Sequence, residues 1–289
     1  SSDVCSSDLI IIGAGIAGAS LARAFERLGV QAKVYDEEGL GAGASGNAAA
    51  LVTPRFDLGD GVSAHLHAQS FNHAIRTYQR EAPQAVLHRG VLQIEAQTKD
   101  TARFDRIVNQ DLFGLDALVR LGAKGVNEWL GEDQTKGGLM IRHALLIQPE
   151  SLFKAWLPRI LKRQVASISW SHDRWALNDA QGKAFDEAEC VCLAAGAGLG
   201  VLAPNLPLQI VRGQVSMANC EERILPTSGA GYAVPLPNGV LFGASHHRHE
   251  TDRSIWPSDT QDNVARLSAL MPSLAAKLDP AKKIGRAHV

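Results

Sequence analysis

One stretch narrows the possible folds more than any other: Leu9-Ile10-Ile11-Ile12-Gly13-Ala14-Gly15-Ile16-Ala17-Gly18-Ala19-Ser20. The four leading apolar residues suit a parallel strand covered on both faces. Gly13 allows a tight turn, Gly15 lets backbone approach a pyrophosphate, and Gly18 lets a helix pack closely on the strand. The N–H groups and dipole of that helix favour phosphate at its start. Leu21, Ala24, Phe25 and Leu28 continue one apolar helical face, and Gly29 closes it. A second strand over 30–35 ends at Asp36, eighteen residues past Gly18, where a carboxylate meets a ribose hydroxyl. The spacing predicts a dinucleotide-binding βαβ unit; a bare structural turn is the alternative. Glu37 and Glu38 follow Asp36 where a 2′-phosphate would call for Arg, which argues against NADP.

A simple NAD-binding chain would continue with another helix and strand. Here Gly39-Leu40-Gly41-Ala42-Gly43-Ala44-Ser45-Gly46-Asn47 comes first. Small side chains there let backbone press on a flat or anionic group, and Ser45 and Asn47 offer hydrogen bonds at the start of a short Ala-rich helix over 48–52. An ordinary capped helix is the other reading. A second apolar strand, Cys190-Val191-Cys192-Leu193, ends in Ala194-Ala195-Gly196-Ala197, another place where backbone can meet a dinucleotide.

Between and after these motifs the periodicity predicts a helix over 62–81, a half-buried strand over 89–95 and one or two helices over 101–121. It also predicts a short hairpin over 137–147 and a helix from Pro149 whose apolar side includes Ile160 and Leu161. Strands follow over 165–170 and 208–216, then a hairpin about the Pro237-Asn238-Gly239 turn and a closing helix over 262–270. His65, His67 and His73 read as solvated or packed, since no carboxylate partner is suggested. His246-His247-Arg248-His249 reads either as a polar loop or as the rim of a substrate mouth.

With 289 residues, 45% of them hydrophobic, the chain can bury a core. A net charge of −1 gives no global attraction to nucleic acid. No apolar run approaches the ~18 residues that span a membrane. Of the four cysteines, Cys5, Cys190, Cys192 and Cys220, the middle two read as small core thiols sharing a strand face, which suits a reducing cytoplasm. Residues 1–8, with their repeated Ser-Ser-Asp, and 283–289 read as non-native ends.

The order of Gly13 to Gly18, Asp36, Gly43 to Asn47, Leu193 to Gly196 and Arg212-Gly213-Gln214 resembles the FAD-dependent D-amino-acid-oxidase-like superfamily. Gly43-Ala44-Ser45-Gly46-Asn47 running into Leu51-Val52-Thr53-Pro54-Arg55, then Gly231-Tyr232, Pro235 and Gly243-Ala244-Ser245 with Arg248, resemble its subgroup of oxidoreductase modules in bifunctional enzymes of tRNA wobble-uridine modification. The resemblance implies an α/β architecture: a Rossmann-like FAD-binding domain (9–57, 147–205 and 266–289, incomplete at its end) interleaved with an α+β substrate domain (58–146 and 206–265) built on a mixed, largely antiparallel sheet. It implies FAD held by Gly13, Gly15, Ile16, Ala17, Gly18, Asp36, Ala44, Ser45, Asn47, Val165, Ala194 and Gly196, with no metal and no membrane. Asp36 stands where the family more often has Glu.

The implied reaction oxidises the C–N bond of an N-substituted glycine. Its substrate is a carboxymethylaminomethyl-modified tRNA or a free small amino acid such as glycine, sarcosine or a D-amino acid. A non-catalytic nucleotide-binding fragment is the reading from another class. A substrate carboxylate calls for Arg, whose fork binds it bidentately. Arg55 is the first candidate and Arg248 the second, each with a surface salt bridge as its alternative. Arg212 reads as structural. Tyr232 is a candidate pocket wall or simply a packed aromatic, and His246 and His247 are candidates for proton transfer.

Overall fold

The computed structural model describes residues 8–278, apart from 111, 115, 134 and 158, together with the backbone of 284–288. From the N-terminus come β1 (Leu9–Ile12), α1 (Ile16–Arg27), β2 (Lys33–Asp36), β3 (Ala50–Val52), α2 (Val62–Glu81), β4 (Val86–Ile94), α3 (Lys99–Val108), β5 (Leu118–Leu121), α4 (Ala123–Leu130) and β6 (Gly138–Ile147). Then follow α5 (Pro149–Trp156), β7 (Leu161–Lys162), β8 (Ser167–Ser171), β9 (Arg174–Asn178), β10 (Ala184–Ala188), β11 (Cys190–Leu193) and α6 (Leu199–Leu202). The last third holds β12 (Val211–Asn219), β13 (Thr227–Ser228), β14 (Tyr232–Leu236), β15 (Gly239–Gly243), β16 (His247–Arg248), α7 (Pro257–Leu270), α8 (Pro272–Lys277) and β17 (Ile284–His288).

The strands of the first motif form a parallel sheet ordered β11-β1-β2-β7. Its central strand explains the unbroken apolar run. Ile11 faces a core shared with Phe153 and Trp156 of α5, while Ile10 and Ile12 face a second core with Leu177 and Ala188. That second core lies under an antiparallel meander ordered β10-β9-β8. A strand covered on both faces needs no polar side, and β1 has none.

The larger sheet runs β16-β12-β15-β14-β13-β4-β6-β3, with β17 on β12 and β5 on β6. Helices α2 and α3 cover one region through Phe71, Ile75, Phe104 and Ile107. Helices α4, α7 and α8 cover another through Val126, Leu130, Leu267 and Leu274. A third cluster, Ala49, Leu146, Val215, Val234 and Leu241, joins the loop after β2 to this sheet.

Several local expectations change. Residues 50–52 form strand β3 rather than helix, because β6 supplies a pairing edge that overrides alanine's helix preference. Helix α3 ends at Val108, and 118–121 pair with β6 instead of continuing a helix. The expected hairpin over 137–147 is one long strand, β6, with a bulge opposite Gly90. Helix α5 stops at Trp156, and Leu161 joins the parallel sheet.

Cys190 is exposed, since β11 is an edge strand, and Cys5 lies outside the described residues. Of the segment 266–289, expected beside the parallel sheet, the described residues 266–278 and 284–288 lie on the large one. Helix α7 packs on β12, β14 and β15, and β17 pairs antiparallel with β12.

Candidate functional site

The glycine turn is built for close approach. Gly13 has φ +112°, which favours glycine, and a Cβ there would overlap the Ala194 carbonyl oxygen. A Cβ on Gly18 would overlap the Gly13 carbonyl oxygen, so this glycine sets α1 tight against β1. Gly13 N–H donates to the Tyr35 carbonyl at 2.7 Å, tying the turn to β2. Ala194, Gly13 and Gly18 therefore meet where the two predicted strand ends converge. Gly196, with φ +55°, is exposed just beyond them.

The small-residue loop closes on the same helix start. Ile16 N–H donates to Ser45 Oγ at 3.1 Å, and a Cβ on Gly15 would stand 3.0 Å from that oxygen. Gly41 N–H donates to the Ala14 carbonyl at 3.0 Å. Ala44 and Gly43 are exposed beside Ser45. Asn47 keeps its side-chain oxygen buried without a hydrogen-bond partner. Among the described residues, no protein acceptor meets the amides of Gly15, Ala17 and Gly18. Free amides at a helix N-terminus beside a hydroxyl form an anion cradle, and it fits a dinucleotide pyrophosphate.

Asp36 is engaged on both oxygens. Oδ2 accepts the Ala14 N–H at 2.8 Å, and Oδ1 accepts those of Glu38 at 3.0 Å and Gly39 at 2.7 Å. Val165 packs, partly buried, beside Ile10, Ile12 and Tyr35, on the other side of β1 and β2 from α5.

The three substrate candidates are not gathered into one contact. Arg55 follows β3, and its side chain is 71% exposed. Its Nε donates to Asp57 Oδ1 at 3.3 Å, while both terminal amino groups have no partner among the described residues. Asp57 Oδ2 accepts from Ser63 Oγ at 2.7 Å and meets His67 Nδ1 at 3.0 Å. The Ser63 hydroxyl, against some burial, and then Arg55 and His67 hold the Asp57 carboxyl below the usual carboxylate range. Sequence reading gave His67 no carboxylate partner; the turn after β3 brings Asp57 to it.

Tyr232 packs with Leu51, Met217 and Ala244 around the cluster that joins the loop to the large sheet. Burial pushes its hydroxyl up to about 12. Arg248 is exposed on β16, at the opposite end of the strand order from β3, without an ion pair among the described residues.

Arg212 is structural, as expected, and its surroundings could not be read from sequence. It is fully buried, pairs with Asp259, and donates to the carbonyls of Asp252 at 2.7 Å and Ser254 at 2.6 Å. Trp256 stacks on it at 4.0 Å. Asp259 also accepts from Ser245 Oγ at 2.7 Å and meets His247 Nε2 at 2.7 Å. Burial raises the Asp259 carboxyl, but bonds from Ser245, His247 and Arg212 outweigh it, and the net direction is down.

The family model described as "FAD dependent oxidoreductase" matches residues 8–286. The chain belongs to this family. FAD is its cofactor, and the cradle of Gly13, Gly15, Gly18 and Ser45 with the Asp36 carboxylate could hold it.

The chain is 38% identical over 281 residues to the tRNA 5-methylaminomethyl-2-thiouridine biosynthesis bifunctional protein MnmC of Caulobacter vibrioides, covering 97% of this chain and 47% of that protein. It is 29% identical over 301 residues to the protein of that name from Burkholderia pseudomallei, covering 96% and 46%. The chain thus spans about half the length of the curated relatives it matches. Glycine oxidase from Geobacillus kaustophilus has the same fold, with a TM-score of 0.80 at 18% identity over 97% of this chain and 82% of that one. Iminodiacetate oxidase from Chelativorans sp. gives 0.79 at 19% over the same shares. Among the described residues no helix is long and apolar enough to cross a membrane.

Proposed function

We propose that this FAD-dependent oxidoreductase oxidises the C–N bond of an N-substituted glycine, namely the carboxymethylaminomethyl group of a wobble uridine in tRNA. The likeness at 38% identity to a protein named for tRNA 5-methylaminomethyl-2-thiouridine biosynthesis, over nearly the whole of this chain, carries the reading. Bound FAD supplies acceptance of two electrons and a proton from the carbon beside the amine nitrogen. The chain's own residues do the rest. Arg55 offers two unengaged terminal amino groups, the fork that a substrate carboxylate takes bidentately. Tyr232, held neutral by its raised pKa, walls the approach without adding charge. Arg248, at the other end of the strand order from β3, offers a cation for substrate phosphate. A cytoplasmic setting follows from a tRNA substrate and agrees with the free thiols of Cys190, Cys192 and Cys220.

The test is turnover by FAD-loaded protein of carboxymethylaminomethyl-modified tRNA against free sarcosine and glycine, following glyoxylate release and electron-acceptor consumption. Turnover of the modified tRNA is expected. Turnover of the free amino acids alone would replace this reading with that of a small-amino-acid oxidase.

A further inference from the structure

The pairing of β4 with β6 shifts register at two places, and the larger break is at Gly90. Arg89 faces Leu145 and Val91 faces Ile141, so Gly90 alone stands opposite Arg142, His143 and Ala144. Gly90 has φ +87°, and a Cβ on it would lie 3.5 Å from Trp129 Cη2 and 4.0 Å from the Arg142 carbonyl oxygen. Bulges of this kind re-aim side chains and are frequent beside active sites.

Here the bulge turns three basic side chains outward. Arg89, Arg142 and His143 are all exposed, and none has an acidic partner among the described residues. Glu128, the exposed carboxylate beside Trp129 on α4, pairs with none of them. On the other face of β4 from Arg89, His88 and Trp129 meet edge to face at 6.1 Å, and His88 Nδ1 and Trp129 Nε1 are buried without partners among the described residues.

The location ties this patch to the candidate substrate cation. Arg89 faces Leu145 on β6, and Leu145 faces Val52 on β3. Directly opposed residues share a sheet face, and two strand spacings amount to about 10 Å. Val52 ends β3, three residues before Arg55. Arg89 therefore lies about 10 Å across the sheet from the strand that leads into Arg55, the candidate substrate cation. The chain as a whole carries a net charge of −1, so attraction for a polyanion has to come from a local patch such as this one.

We propose that Arg89, Arg142 and His143 bind the phosphates of the single-stranded RNA that flanks the nucleotide entering the site. This rests on the tRNA reading above. Exposed cations without acidic partners are what tracks the backbone of single-stranded nucleic acid. The contact is to backbone, so it carries no base preference.

The experiment measures binding of a fluorescein-labelled anticodon stem-loop RNA to the 289-residue chain by anisotropy, across a salt series. Each phosphate contact to single-stranded RNA contributes about 0.7 to the salt slope. The R89A/R142A double variant is expected to bind at least tenfold more weakly, with the slope reduced by about 1.4 for two lost contacts. R89K/R142K should retain the slope, and the urea midpoint and FAD affinity of both variants should match the parent. If parent and R89A/R142A bind RNA with equal affinity and slope, the patch is wrong while the tRNA reading stands. If the parent binds no RNA, the patch is also wrong, and turnover of modified tRNA then decides the parent reading separately.

Discussion

Asp259 offers a sharp test of how the Arg212-Gly213-Gln214 motif is held. Its carboxylate is 1% exposed and Arg212 is 0% exposed, so neither charge has water to fall back on. It accepts from Arg212, Ser245 and His247 at once, and Arg212 in turn fixes the carbonyls of Asp252 and Ser254. Removing one member of a buried pair costs about 3–5 kcal/mol, because the other is left charged and unpaired. That is a large share of the ~5–15 kcal/mol that holds a domain together. The exposed Arg253–Glu38 pair, at 2.5 Å, serves as the contrast, since such pairs contribute about 0–1 kcal/mol.

Urea unfolding followed by tryptophan fluorescence measures both. With a slope of about 3 kcal/mol per molar, Asp259→Ala should lower the midpoint by about 1–1.7 M, and Glu38→Ala by less than ~0.3 M. The sign with pH is fixed by the direction of the Asp259 shift. Its folded carboxyl is depressed, so its contribution is present above the ordinary carboxylate pKa and lost as pH falls through the depressed value. The gap between parent and Asp259→Asn should therefore narrow in acid. A midpoint for Asp259→Ala within ~0.3 M of the parent would refute the claim that this pair organises the motif.

Other expectations follow from the same geometry. Arg55→Ala should raise KM for a carboxymethylaminomethyl substrate by about 10–150-fold, the range for a lost charged hydrogen bond, with Arg55→Lys recovering only part; an unchanged KM removes Arg55 from the site. Gly18→Ala must push α1 off the Gly13 carbonyl, costing about 1–3 kcal/mol, and should weaken FAD binding as read by quenching of flavin fluorescence; wild-type affinity would contradict the tight fit. Tyr232 should stay neutral until pH approaches about 12. Its raised pKa stabilises the fold below the ordinary phenol value of ~10, and up to about 3 kcal/mol is lost as pH climbs through the raised one. Ultraviolet titration of Tyr232→Phe should show a smaller late step, the remainder belonging to Tyr35, which is also raised to about 12, and an unaltered titration would deny the burial.

What was legible in the sequence was whatever depends on backbone close to a turn. The turn from Gly13 to Gly18, Asp36, Ser45 and Ala194 are separated in the chain, yet each carries its own local signal, and the fold brings them together. Strand β3 was misread because three residues of Ala-Leu-Val have no period to measure; only the β6 edge decides their state. The β6 bulge was misread as a hairpin because Arg142 and His143 interrupt an apolar run, and polar interruption alone does not distinguish a turn from a bulge. The Asp259 network was invisible for a different reason. Its members come from 212–214, 245–247, 252–256 and 259, and nothing local to any of them announces burial. Asp57 with His67 is similar: the link spans ten residues across a turn and exists only because α2 starts beside it.

Asp36 shows how a correctly located residue can have more than its expected task. A carboxylate offers about four acceptor positions. Three are taken by the amides of Ala14, Glu38 and Gly39, which leaves one. Aspartate rather than glutamate is what this geometry needs, because the shorter side chain keeps the carboxylate against the backbone on both sides of it. The residue thereby joins the first glycine turn to the loop that carries Ser45, and Ser45 then reaches the start of α1. The cradle's shape is consequently set by Asp36 before any ribose arrives. With one acceptor position left, Asp36 has room for a single ribose hydroxyl.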